Sequence, residues 1–99
     1  MRRIAAASLR YLDVGATVPP DANPSVDLVE FAFIPTDDDP VSGDWMTGTW
    51  FTTATRLVAR ILIGPGGVVT LTPNVYRVWV RVSATPERVV AEAGRMQVY

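Results

Sequence analysis

A chain of 99 residues, 48% hydrophobic and 19% charged, has the composition of one small folded domain, with no material for a second core. It contains no histidine and no cysteine, and its nine basic residues are all arginine. A zinc site, a Ser/His/Asp triad, a disulfide framework, a P-loop and a Schiff base are therefore excluded, and a net charge of −1 supplies no field toward nucleic acid or membrane.

The N-terminus, Met1-Arg2-Arg3 followed by Ile4 to Leu9, imitates a secretion signal, but Arg10 ends the apolar run after six residues. About 7–15 are needed, so no signal is expected, and no stretch approaches the roughly 20 residues of a membrane helix. Residues 1–12 read as an N-terminal arm or an edge strand, because Ala5-Ala6-Ala7-Ser8 offers a convincing apolar face to neither helix nor sheet. An arm docked on a neighbouring subunit would take its order from that partner. Its arginines and larger apolar groups, Arg2, Arg3, Leu9 and Tyr11, are then candidate contact residues. The rest, residues 13–99, reads as a single β domain.

From Leu28 to Ile34 the chain alternates, with Val29, Phe31 and Phe33 directed to a core and Glu30 and Ala32 away from it. Pro35 stops the strand. Asp37-Asp38-Asp39-Pro40 and Ser42-Gly43-Asp44 form a polar loop, and Trp45 to Thr53 resumes β composition. Arg56 to Ile63 alternates again, with Leu57, Ala59, Ile61 and Ile63 on one face. Gly64-Pro65-Gly66-Gly67 then supplies the chemistry of a tight reversal, and Val68 to Leu71 is expected to return as a strand. Pro73-Asn74 makes a second turn. Tyr76 to Val82 has the cleanest two-residue period: Tyr76, Val78, Val80 and Val82 inward, Arg77, Trp79 and Arg81 outward. Beyond Pro86-Glu87, Val89-Val90 can pair briefly, and Gly94 precedes a closing strand from Arg95 or Met96 to Tyr99. About seven short strands with closely spaced turns predict an all-β sandwich or small barrel.

Leu71, Asn74 and Tyr76, placed just before the strongest strand, favour a sandwich. They resemble the tyrosine corner of immunoglobulin-like domains, in which the tyrosine hydroxyl bonds back to upstream backbone. Val78 then stands where antibody domains carry their second cysteine. The expected fold is thus an immunoglobulin-like antiparallel β-sandwich without its disulfide.

Chemistry-bearing constellations are few. Asp37, Asp38, Asp39 and Asp44 lack the regular spacing of a calcium loop and read as a solvated turn. Trp45 and Trp50, beside Gly43 and Gly48, read as one core tryptophan and one near a sheet edge, with a sugar-stacking groove as the alternative. Glu30 with an aspartate is a formal carboxylate pair, but so small a sandwich offers no cleft for it. Arg77, Trp79 and Arg81 combine residue types enriched at protein–protein hot spots. The same set would suit a single-strand nucleic-acid platform, which the absence of a basic excess disfavours. No catalytic, cofactor or metal site is expected. Charge is polarised along the chain: residues 1–50 hold eight acids and three arginines, residues 51–99 six arginines and two acids. Acidic loops on one copy meeting arginines on the next would give a head-to-tail contact.

Several segments together resemble small immunoglobulin-like virion proteins of tailed bacteriophages, especially those of high-GC actinobacteria. They are Asp13-Val14-Gly15-Ala16-Thr17-Val18, Val29-Glu30-Phe31-Ala32-Phe33, the Gly64-Pro65-Gly66-Gly67 turn, Tyr76 to Val82, Pro86-Glu87, and Ala93-Gly94-Arg95-Met96-Gln97-Val98-Tyr99. The order of strand, turn and final strand is also similar to the N-terminal β-sandwich of phage baseplate upper proteins. The resemblance spans roughly residues 13–99 and carries no active-site motif. It implies a non-enzymatic structural duty in the virion, as capsid decoration or at the head–tail junction, with a tail or baseplate component or a carbohydrate-binding module as alternatives. The implied partners are phage capsid or tail proteins and further copies of the chain on a lattice, with no membrane partner and assembly in the host cytoplasm.

Overall fold

The computed structural model describes residues 2–15, 27–52, 57–84 and 87–99. Eight strands lie in these stretches: β1 (Arg2–Ile4), β2 (Arg10–Val14), β3 (Leu28–Ile34), β4 (Met46–Thr47), β5 (Thr49–Thr52), β6 (Leu57–Ile63), β7 (Asn74–Ala84) and β8 (Glu87–Val98). A 3-10 turn at Ser42–Asp44 completes the regular structure. The strands form a five-stranded sheet, ordered β1-β8-β7-β3-β4, and a three-stranded sheet, ordered β2-β6-β5. Every pairing is antiparallel except that of β1 with β8. Among the described residues no helix is long and apolar enough to cross a membrane. Thr53, Arg56, Pro86 and the Ala16-Thr17-Val18 segment lie outside the described residues.

Alternation fills the space between the sheets. Val29 and Phe31 from β3, Ala59, Ile61 and Ile63 from β6, and Tyr76, Val78, Val80 and Val82 from β7 form one buried cluster with Met96 and Val98 of β8. Phe33 packs against it. The Tyr76 hydroxyl donates to the Thr72 carbonyl at 2.8 Å, the back-bond anticipated from Leu71, Asn74 and Tyr76. The segment read as an arm or edge strand is divided between the sheets. Ile4 of β1 and Leu12 of β2 both enter the core, so the boundary drawn after residue 12 falls inside β2.

Four details depart from the sequence expectation. Val68 to Leu71 is not a strand: only Val69 bridges, in parallel sense, to Ile63. Gly67 N–H closes onto the Gly64 carbonyl with Pro65 and positive-φ Gly66 between, and Val68 N–H bonds straight back to Leu62. The chain therefore wraps the end of β6 instead of reversing along it. Val89-Val90 and the closing strand are one continuous β8, because the register skips Ala93 at a bulge beside Val78 and Gly94 takes φ 126° there. The stretch after Trp45 is two strands, one in each sheet. The switch occurs at Gly48, where a Cβ would lie 2.6 Å from the Phe31 ring and 3.0 Å from the Arg60 carbonyl, so only glycine lets the backbone pass that close. Finally, neither Trp45 nor Trp50 is the central core aromatic. Phe31, fully buried, takes that place, while Trp50 packs at the edge of the cluster and donates Nε1–H to the Asp27 carbonyl at 2.9 Å.

Candidate protein-contact surface

The two-residue period of β7 directs Arg77, Trp79 and Arg81 to the outer face of the five-stranded sheet. Pairing sets Ile34, Ala32 and Glu30 of β3 opposite Arg77, Trp79 and Arg81, and Glu92 of β8 opposite Trp79. Both arginines are held. Arg81 donates from Nε and Nη2 to one oxygen of Glu30, at 3.0 and 2.8 Å. Arg77 grips both oxygens of Glu92 at 3.1 and 2.9 Å and lies 5.0 Å from the centre of the Trp79 ring. Bidentate pairing and the ring contact leave these long side chains little rotamer freedom, so the face is organised within the single chain.

The loop between β3 and β4 folds over this face. Trp45 packs on the Arg81 guanidinium, 4.4 Å from it. Pro40 and Trp45 then wall an open cavity of about 380 Å³ that Trp79, Arg81, Arg88 and Val90 also line. Ala32 and Ile34 point outward in the pleat yet are buried. The Trp79 Nε1–H is buried with no acceptor among the described residues.

The other expected contact residues are not brought to this patch. Tyr11 lies on the outer face of the three-stranded sheet. There the Arg60 guanidinium sits between the rings of Tyr11, at 4.5 Å, and Phe51, at 3.8 Å, and binds Asp13 at 2.7 and 3.1 Å. Leu9 is exposed in the β1–β2 connection. Arg3 rests on the Tyr99 ring at 4.7 Å, and Arg2 lines a cleft with Leu12, Val78 and Met96. Arg77, Trp79 and Arg81 thus form one group, and Arg2, Arg3, Leu9 and Tyr11 lie apart from it.

Sequence reasoning passed over Glu30 and Trp45 as parts of the Trp79 surface, and over the Tyr11–Arg60–Phe51 stack. Glu30 did carry a signal, as the lone charge in its strand. Nothing local announces the stack, since each of its members comes from a different strand. The polarity of charge along the chain also changes meaning in three dimensions. Asp13–Arg60 and Glu30–Arg81 join acids of the first half to arginines of the second within one molecule.

Two carboxylates titrate abnormally. The hydrogen bond from Arg60 holds Asp13 below the ordinary aspartate range against a smaller desolvation effect, and Arg77 acts likewise on Glu92. A carboxylate that is more acidic in the folded chain adds stability above its unfolded titration range, and that stability is lost as pH falls through the folded one. Stability is therefore expected to fall on acidification through and below about pH 4. Asp13→Asn and Glu92→Gln should flatten the difference between urea midpoints at about pH 6 and about pH 3. Equal pH dependence in the variants and the parent would show that these pairs do not contribute.

No family model, curated protein or solved structure matches the chain.

Proposed function

We propose that this protein is a non-enzymatic structural subunit of a tailed-phage virion. On this reading it is an immunoglobulin-like sandwich that attaches to the head, as decoration or at the head–tail junction, through the outer face bearing Trp79. The chain path supports the fold. With β3, β7 and β8 as strands C, F and G, and β2, β6 and β5 as B, E and D, each set shares one sheet as immunoglobulin-like domains require. The Tyr76 back-bond at the start of β7 and the buried Phe31 at the centre of β3 fit the same plan.

One observation carries the function: a half-buried tryptophan flanked by two arginines already fixed by carboxylates, on a chain without His, Cys or Lys. An aromatic ring set among pre-ordered guanidinium groups is the composition of an interface hot spot, and the two carboxylates beside it are engaged in holding the arginines. The test is incorporation of tagged protein into purified phage particles. Deleting residues 1–12 would remove Ile4 and Leu12 from the core, so point changes are the sound probe. Wild type should co-purify with particles, and Trp79→Ala should lower incorporation by at least about tenfold while keeping a cooperative thermal transition. Absence of the wild type from particles, or full incorporation of folded Trp79→Ala, overturns the reading.

A further inference from the structure

β8 runs for twelve residues, but β1 covers only its end, pairing Arg2, Arg3 and Ile4 with Met96, Gln97 and Val98. From Arg88 to Glu92 the other edge of β8 has no strand partner among the described residues. Unpaired backbone donors and acceptors along a strand edge are what an added strand bonds to. The two apolar residues in the middle, Val89 and Val90, are 42% and 46% exposed.

This edge is complementary to itself. Laid antiparallel to a second copy about Val90, Arg88 comes opposite Glu92, Val89 opposite Ala91, and Val90 opposite Val90. Arg88, Val90 and Glu92 share the outer face, opposite Ser83, Arg81 and Trp79 of β7. Each Arg88 would therefore come beside a Glu92 that already binds Arg77 of its own chain, adding a second guanidinium to that carboxylate. The two sets would flank a valine pair on one surface, the arrangement that stabilises cross-strand neighbours. Arg88 makes no ion pair among the described residues. The ends match as well: Glu87, the first residue of β8, meets Ala93 of the second copy. The ladder then stops at the Gly94 bulge, before Met96, where β1 begins.

We infer that two copies of this chain join edge to edge along β8, making one continuous sheet of ten strands from two five-stranded sheets. The contact is isologous: the two-fold axis passes between the two Val90 residues, and every other pair, such as Arg88 with Glu92, occurs twice. It sets two Trp79 faces side by side on the same surface, so a lattice would be engaged at two points at once. The inference deepens the proposed structural role but is tested on the isolated protein. Failure to dimerise and failure to enter particles are therefore separate results.

The chain has no cysteine, so Val90→Cys reports this contact alone. Opposed residues of an antiparallel pair lie about 4.5–5.5 Å apart at Cα, within the range a disulfide spans. Mild oxidation should convert Val90→Cys to a covalent dimer about tenfold or more faster than Val75→Cys, an exposed position on the same face away from the axis. Wild type should shift from monomer to dimer with concentration in size-exclusion chromatography. Val90→Lys and Arg88→Glu should remain monomeric with an unchanged far-UV spectrum. A wild type monomeric at every concentration, cross-linking of Val90→Cys no faster than of Val75→Cys, or a dimeric Val90→Lys would overturn it.

Discussion

Replacing Phe31 by alanine is expected to remove about 3–5 kcal/mol of folding stability, a large part of what a domain of this size possesses. The ring is fully buried and lies parallel to that of Phe33, with centroids 6.4 Å apart. Beside the ring passes Gly48, which has no side chain to swing into the space, and whose missing Cβ would stand 2.6 Å from the ring. The cavity left by Phe31→Ala therefore cannot be filled by local collapse, and cost grows with the volume left empty. The consequence reaches the surface. Phe31 lies next to Glu30 on β3, and the pairing of Glu30 with Arg81 orders one flank of Trp79. Urea unfolding of Phe31→Ala and Phe31→Leu checks this, with leucine expected to keep more than half of the stability lost by alanine. A loss below about 1 kcal/mol for alanine would mean that the core closes over the gap.

The second large effect is expected at Gly64. Its φ of 129° is one that L residues rarely adopt, and an added Cβ would press on the Ser8 carbonyl oxygen and lie 2.9 Å from Leu9 Cα. Both obstacles are backbone and cannot turn aside as a side chain would. Gly64 also ties the turn together: its N–H donates to the Val69 carbonyl, and its own carbonyl accepts from Gly67 N–H and the Thr70 hydroxyl. Gly64→Ala must either break these bonds or push the β1–β2 connection off the end of β6, at a cost of about 3 kcal/mol or more. Gly66 separates conformation from crowding. It too has positive φ, 84°, but open space where a Cβ would go, so Gly66→Ala should lose only about 1–2 kcal/mol. Equal thermal shifts for the two variants would refute the crowding argument.

What could be read from the chain followed from local periodicity. Successive residues of a strand point to opposite faces, so Val29 and Phe31, Ala59 to Ile63, and Tyr76 to Val82 declare their inward sides without knowledge of any neighbour. The Tyr76 hydroxyl reaches Thr72 only four residues upstream, and a contact so short in sequence is legible for the same reason. Where periodicity is interrupted, reading fails. The skipped Ala93 allows two apparent segments to form a single β8, and Gly48 passes the chain from one sheet to the other where composition suggested continuity.

Composition, alternation and turn chemistry determined an all-β chain without histidine, cysteine or lysine, with Arg77, Trp79 and Arg81 on one outward face. Tertiary structure alone decided what surrounds that face. Glu30 meets Arg81 there across 51 residues of sequence, as on the other sheet Asp13 meets Arg60 across 47. Which carboxylate faces which guanidinium depends on strand order and register, and these depend on how both sheets bury their apolar sides together. The same holds for the open edge of β8. Arg88 to Glu92 is a plain alternating stretch in the sequence, and only the strand pairing shows that, among the described residues, β1 joins β8 at Met96 to Val98 and not at Arg88 to Glu92.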